Sequence, residues 1–215
     1  MEIINKKKLT IDFIKTKTPI AYDKAISFME KRVNLIATAK ANELIWFLEH
    51  PSIFTTGRAY ETENDYLENI PIYNTGRGGK LTWHGPGQRI IYIMINIKKR
   101  KYDIREFVSN LEESIIISLQ ELNINAYRKK NLVGIWTKNQ NNNDAKIASL
   151  GLRISKGIIY HGISININCD LSYFKKIDPC GIKDSHVTSV ISLKDDFNKL
   201  KIDSILKNNI FNLFI

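Results

Sequence analysis

Five of the chain's 11 glycines fall within one short run, Gly76-Arg77-Gly78-Gly79-Lys80-Leu81-Thr82-Trp83-His84-Gly85-Pro86-Gly87-Gln88. Glycine loses more backbone entropy on folding than any other residue, so this density needs a local reason: positive φ angles, or bare backbone brought close to a ligand. Between the glycines stand an arginine, a lysine, a threonine, a tryptophan and a histidine, where a plain turn would use Asn, Asp or Ser. The run is therefore expected to be a loop that presents backbone N–H groups and a few directed side chains, not a ligand-free hairpin turn.

The rest of the chain reads as strands and helices around that loop. Leu9, Ile11 and Phe13 alternate with polar residues as a half-buried strand does. Tyr22, Ala25, Ile26, Met29, Val33 and Ile36 share one helical face. Glu43 to Glu49 predicts a buried strand, Ile72 and Tyr73 a short one, and Arg89 to Ile97 a strand apolar on both faces, which belongs inside a sheet. Asp103 is the expected cap of a helix to about Leu122, with Ile104, Phe107, Val108, Leu111, Ile115, Leu119 and Leu122 inward. Short strands follow near Ala126 to Arg128 and Val133 to Thr137, then a polar exposed loop from Lys138 to Asp144.

Lys146 to Ser155 and Ile158 to Asn168, joined at Lys156-Gly157, predict a β-hairpin. Along its second arm Ile163, Ile165 and Ile167 take one face, and Ser164, Asn166 and Asn168 the other. Asp170 to Lys176 suits a short helix, Pro179-Cys180-Gly181 a turn, and the stretch from Asp195 onward a last helix or two. With no internal repeat and no linker, residues 1–215 are expected to form a single α+β domain, a mixed and largely antiparallel sheet flanked by helices.

Composition removes several classes of function. Hydrophobic residues make up 43% and charged residues 25%, which places the chain among globular proteins. No apolar run approaches the length of a membrane span, and the first residues lack the apolar stretch of a signal peptide, so a cytoplasmic protein with no membrane partner is expected. Two cysteines are too few for a disulfide-stapled secreted fold, and no clustered His/Cys spacing suggests a metal. The formal net charge of +10 attracts polyanions, but the lysines are scattered; an acidic carrier protein suits them as well as nucleic acid does.

The two cysteines differ. Cys169 continues the phase of Ile163, Ile165 and Ile167 and reads as a small buried hydrophobe. Cys180, between Pro179 and Gly181 with Asp178, Lys183 and Asp184 nearby, has no packing reason to be cysteine. A nucleophilic thiol needs an activating partner, because a free one is only a few per cent ionised at neutral pH. His84, His161 and His186 are candidates, and so is Lys146, which opens the apolar, small-residue segment Lys146-Ile147-Ala148-Ser149-Leu150-Gly151. The residues alone leave that choice open.

The run Arg77-Gly78-Gly79-x-x-Thr82-Trp83-His84-Gly85-Pro86-Gly87-Gln88 resembles the signature of the lipoyl/octanoyl transferases, the octanoyl-acyl carrier protein:protein N-octanoyltransferases of the lipoate-protein ligase B type. Glu49-His50-Pro51 with Thr56-Gly57-Arg58, then Lys146 to Gly151, Tyr160-His161-Gly162 and Pro179-Cys180-Gly181 follow in that family's order. The resemblance runs from His50 to around Val190, about two-thirds of the chain. Trp83 departs from it, since a smaller aromatic is usual there, and this leaves the acyl-chain length open.

The resemblance implies a biotin/lipoate ligase-like fold and a lysine–cysteine dyad, with Cys180 the acyl-accepting nucleophile and Lys146 the general acid/base that lowers the thiol's pKa. It implies that octanoyl-acyl carrier protein is the donor, and that the acceptors are lipoyl domains of 2-oxoacid dehydrogenases and the glycine-cleavage H protein. No cofactor and no metal is implied. The substrate would be bound by Arg77, Gly78, Gly79, Lys80, Leu81, Thr82, Trp83 and His84, with Trp83 as apolar wall and His84 giving a hydrogen bond. Ser149-Leu150-Gly151 and Gly162-Ile163-Ser164 would offer backbone N–H groups to a tetrahedral oxyanion. Thr82 and Gln88 can equally serve as turn hydrogen-bonders, His161 as a core histidine, and His50 and His186 as structural residues. Two rivals stand beside this reading. One is an ATP-dependent lipoate or biotin ligase of the same superfamily, in which no cysteine acts; the other is a basic nucleic-acid-binding module, which the scattered lysines disfavour.

Overall fold

Residues 44 to 48 and 90 to 95 alternate without a break between two apolar faces, and the fold is built outward from them. The computed structural model describes residues 10–60, 62–177, 186–194 and 198–214. Leu9, the expected turn Pro179-Cys180-Gly181 and Asp195 lie outside those residues.

In chain order, β1 (Ile11–Lys15), α1 (Tyr22–Ala37) and β2 (Glu43–Leu48) come first, followed by β3 (Ile53–Thr56), β4 (Tyr66–Leu67), β5 (Ile70–Asn74) and β6 (Thr82–His84). Next are β7 (Gln88–Asn96), the single turn α2 (Ile97–Arg100), α3 (Ile104–Gln120), β8 (Ala126–Lys129) and β9 (Leu132–Lys138). Last come β10 (Asp144–Ser155), β11 (Ile158–Asn166), a 3-10 helix (Leu171–Lys176), β12 (His186–Val187), α4 (Val190–Leu193) and α5 (Lys199–Asn212).

The main sheet has the order β1-β2-β7-β11-β10-β9-β8, and β12 adds itself to β10. Only β1–β2 and β10–β12 run parallel in it, so the expected mixed, largely antiparallel sheet is what forms. A second, smaller sheet has the order β4-β5-β3-β6. Ile45, Phe47, Ile91, Ile93 and Ile95 face α3 and α5, whereas Leu44, Trp46, Leu48, Ile90, Tyr92 and Met94 face α1. That is period-two alternation with both faces covered, as β7 demands. A third cluster, with Phe54, Leu81, Trp83, Cys169 and Phe174, lies under the small sheet.

Local signals explain the boundaries. The Asp103 carboxylate accepts from the N–H groups of Arg105 (2.9 Å) and Glu106 (3.0 Å) and so caps α3. Lys156 (φ 53°) and Gly157 (φ 76°) turn the β10–β11 hairpin through left-handed backbone, the geometry that matches strand twist. One expectation needs correction. Ile104 is exposed, because the first turn of α3 stands clear of the sheet; Ser114 and Ser118 are buried in its place. Ser164 and Asn166, on the face of β11 opposite its isoleucines, are buried too, so both faces of that strand are covered.

One buried ion pair ties α5 to β7. The Arg89 guanidinium donates to both carboxylate oxygens of Asp203 (2.8 and 3.0 Å) and to the carbonyl of Leu48 (3.2 Å). Lys15 adds a second cation at 2.5 Å from Asp203. Removing one partner of such a pair strands a buried charge and costs about 3–5 kcal/mol. Asp203→Ala is expected to lower the free energy of unfolding in urea by that amount, and Lys15→Ala, whose side chain is partly exposed, by far less.

Candidate active site

The register of the hairpin opens a hole in the sheet. Ser149 pairs with Ser164 and Gly151 with Gly162, so four small residues face each other where neighbouring pairs carry isoleucine, leucine and tyrosine. Above this floor lies a cavity of about 400 Å³, an ordinary volume for a small-molecule site. A Cβ on Gly162 would come within 1.9 Å of the Ile91 carbonyl oxygen, and one on Gly151 within 2.9 Å of the Arg77 side chain. Neither position admits a larger residue without movement.

The roof is the glycine run. Gly78 N–H donates to the Leu152 carbonyl (3.0 Å), which docks the run onto β10. Arg77 is buried inside it and donates to the Thr55 carbonyl (2.6 Å), the Thr55 hydroxyl (2.8 Å) and the carbonyls of Gly78 and Lys80 (both 2.9 Å). Burial holds its pKa below the ordinary arginine value, though guanidinium stays charged in proteins. The run is not a loop throughout: Thr82-Trp83-His84 is β6, paired with β3. Thr82 and His84 therefore point at the cavity, while Trp83 between them points away.

That alternation revises two roles. Trp83 does not line the cavity; its indole N–H donates to Ser52 (2.9 Å) and its ring stacks on Tyr173 at 4.8 Å. Leu81 likewise belongs to the third apolar cluster. His84 lines the cavity, but both its ring nitrogens are engaged within the protein. The Thr188 carbonyl accepts from the Asn166 amide, whose oxygen accepts from the Gln88 amide. The Gln88 oxygen must then accept from Nδ1–H of His84 (2.6 Å), leaving Nε2 to accept from the Thr55 hydroxyl (3.2 Å). Gln88 is thus the centre of a directed chain from Arg77 to Thr188, and its amide also reaches back across the turn to the Trp83 carbonyl (3.4 Å). Thr82 has a buried hydroxyl oxygen without a partner among the described residues.

Lys146 lines the cavity beside Leu132 and Val133 and is buried. It stands where β10 changes partners: the β9 register shifts between Lys146 and Ala148, and β11 pairing begins at Ala148. A bulge at that point re-aims a side chain, a common device beside active sites. Gly134 (φ 115°) makes room, since a Cβ there would meet the Lys146 side chain at 2.4 Å. The Trp136 ring lies 5.9 Å from the Lys146 ammonium. β12 runs alongside, with His186 opposite Ala145 and Val187 opposite Lys146. Cys180 lies outside the described residues, which resume at His186.

Arg77, Gly78, Gly79, Lys80, Thr82, His84 and Lys146 thus gather at one cavity with the residues of Ser149-Leu150-Gly151 and Gly162-Ile163-Ser164. Over Gly162 to Ser164, β11 has a ladder on each side, so its backbone is committed and it offers floor, not N–H donors. Sequence reading missed Tyr22 and Tyr92, which line the far end. Among the described residues no group of three or more His, Cys, Asp or Glu is placed to hold a metal ion, and no helix is long and apolar enough to cross a membrane.

Three buried histidines surround this end. Burial drives the imidazole pKa down to about 4 for His50 and to about 3 for His84 and His161, so all three are neutral near pH 7. His50 donates from Nδ1 to the Ile20 carbonyl (2.7 Å) and accepts the Tyr92 hydroxyl at Nε2 (2.8 Å). The buried His161 has left-handed backbone (φ 63°) within a strand, a conformation concentrated at functional sites. Because the unfolded chain takes up these protons near pH 6.5 and the folded chain does not, the stability they confer is complete above that pH and is lost as pH falls toward 4. Each is expected to contribute a slope of about 1.4 kcal/mol per pH unit in that window. Chemical denaturation at intervals from pH 7 to 4.5 reads this directly; a flat profile there would contradict the neutral burial of these rings.

Comparison with known proteins adds an independent finding. The lipoyl protein ligase A/B catalytic domain family matches residues 21–210. A protein named octanoyltransferase from Wolbachia sp. subsp. Brugia malayi (strain TRS) is 45% identical over 197 residues, which cover 91% of this chain and 95% of that protein. Another of that name from Ehrlichia ruminantium (strain Gardel) is 43% identical over 198 residues, with the same two coverages. The fold is similar to that of the bi-partite lipoate protein ligase of Thermoplasma acidophilum, with a TM-score of 0.69, 15% identity, and coverage of 93% of this chain and 82% of that one. By the span of the family match and the identity to these relatives, this chain belongs to the lipoyl protein ligase A/B catalytic domain family.

Proposed function

We propose that the chain is an octanoyltransferase that moves an octanoyl group from an acyl carrier protein thioester to a lysine amine of a lipoyl domain, through a thioester on Cys180. The observation that carries this reading is convergence. Segments far apart in sequence, 77–84, 146–151 and 162–164, meet at one cavity whose floor is built from the smallest residues available. Relatives above 40% identity that bear the name octanoyltransferase support it.

In the first step the Cys180 sulfur, its proton passed to the Lys146 amine, attacks the thioester carbonyl. The tetrahedral oxyanion collapses and expels the carrier thiolate, which takes the proton back from the Lys146 ammonium. In the second step the acceptor amine attacks the Cys180 thioester, Lys146 takes a proton from that amine, and the Cys180 thiolate leaves. The amide carries the octanoyl group away, and no ATP is consumed because the thioester is already activated. Donors for the oxyanion come most readily from Ser149 to Gly151. Pairing between β9 and β10 ends at Ala148, so β10 beyond it has an edge without a ladder partner among the described residues. Preorganised donors of this kind act where charge develops in the transition state. The register of β12 supports the dyad: the chain that follows Cys180 returns beside Lys146. A charge of +10 suits acidic carrier and lipoyl domains.

Incubation with octanoyl-acyl carrier protein is expected to yield an octanoyl mass adduct on Cys180 by intact mass spectrometry, and none with Cys180→Ala. Lys146→Ala should slow adduct formation by roughly 10²–10⁴-fold, the usual range for loss of a general acid–base group. An unchanged rate and an unchanged pH profile of thiol alkylation in Lys146→Ala would remove the dyad. Pyrophosphate release from ATP with free octanoate, in the absence of any adduct, would favour a ligase instead.

A further inference from the structure

The cavity lies across the strands, not along them. From Lys146 on β10, with Leu132 and Val133 of β9 alongside, the lining passes to the small residues of β11 and then to Ile90 and Tyr92 on β7. From β10 to β7 is two strand spacings, ~10 Å, which is the order of length an extended octanoyl chain needs. Beyond Tyr92 stands Tyr22, the first residue of α1.

Tyr22 has a second exposure to open space. On the outer side of the same wall runs a surface groove bordered by Asp23, Ile26, Ser27 and Glu30 of α1 and by Tyr73 and Asn74 of β5. Among the described residues Tyr22 alone lines both the cavity and this groove. Its ring is held in place, edge-on to His50 at 5.3 Å and tilted against Tyr73 at 4.9 Å, and the residue is 4% exposed. The polar groups around it are already engaged: His50 and Tyr92 bond each other, and Arg77 is bonded to Thr55, Gly78 and Lys80. An apolar chain end arriving here meets ring faces. Trp83, whose size departs from the family pattern, faces the other way and cannot set the depth.

We propose that Tyr22 is the end stop of the acyl cavity, so that its ring, standing between the cavity and the α1 groove, fixes the longest acyl chain the protein accepts. This rests on the reading that the cavity holds the acyl chain. A rigid wall discriminates strongly, because each methylene a hydrophobic pocket gains or loses changes kcat/KM by ~10-fold or more. Chains longer than the span are refused by the phenol, and shorter ones leave apolar wall uncovered.

The test is a series of acyl-carrier thioesters from hexanoyl to hexadecanoyl, read as kcat/KM for formation of the Cys180 adduct. The protein itself is expected to favour octanoyl and to fall steeply beyond it. Tyr22→Ala opens the cavity into the groove, and the dodecanoyl-to-octanoyl ratio should rise at least ~10-fold. Tyr22→Leu, which keeps apolar bulk at the site and guards against misfolding, should move the limit by a smaller step. Adding Ser27→Trp to Tyr22→Ala places a large side chain in the outer groove and should reverse the gain. A folded Tyr22→Ala or Tyr22→Leu protein with the unaltered chain-length profile overturns the inference while leaving the octanoyltransferase reading intact, as does a gain that Ser27→Trp fails to reverse. Absence of any acyl adduct in the unsubstituted protein, at every chain length, would instead overturn that reading and this inference with it.

Discussion

Gly151 and Gly162 stand opposite each other on β10 and β11, and the rest of the site depends on the two side chains missing there. Elsewhere the sheet is covered by close-packed isoleucines, leucines and aromatics, which pack to crystal-like density. At this one pair the sheet surface drops by a side chain's height. The drop lets the Arg77-Gly78 backbone come down to hydrogen-bond Leu152, and it leaves empty volume beside that contact. Floor and roof are thus complementary: the glycines of the run permit close approach from above, and those of the hairpin permit it from below.

The second constraint is electrical. Apart from Lys146, the charge buried at this cavity is the guanidinium of Arg77, held by carbonyls and a hydroxyl instead of a carboxylate. Its dipolar influence passes from Thr55 through His84, Gln88 and Asn166 to Thr188, and the Thr188 N–H donates to the Lys146 carbonyl (3.0 Å). Each link fixes the donor sense of the next, so the ring of His84 has one permitted tautomer. A network satisfied at every link is rigid, and rigidity suits a cavity that must keep its shape.

Much of this was legible in the residues. The turn at Lys156-Gly157, the cap at Asp103 and the two-faced strand around Ile91 carry local physical signals that tertiary structure had no reason to override. The glycine run pointed to a segment that comes close to other backbone at a cavity, but its density hid the short strand Thr82–His84 and hence the turning away of Trp83. The burial of Ser164 and Asn166 was not legible, because alternation says which residues share a side, not which side is covered. Tyr22 was invisible as a wall residue, since one large apolar group at the start of an amphipathic helix matches the core pattern exhibited by Ala25, Met29 and Val33. Gly134, too, gave no sign in the sequence of the space it clears for Lys146.

The position of Trp136 has an optical consequence. Its indole N–H is buried without a partner among the described residues, and its ring lies near two lysine ammonium groups, 4.9 Å from that of Lys129 and 5.9 Å from that of Lys146. A cation held over an indole face perturbs the electrons that absorb and emit light. The other two tryptophans, Trp46 and Trp83, are packed in separate apolar clusters. Fluorescence from position 136 would therefore register a change in the charge of its amine neighbours from inside the fold, with no added label.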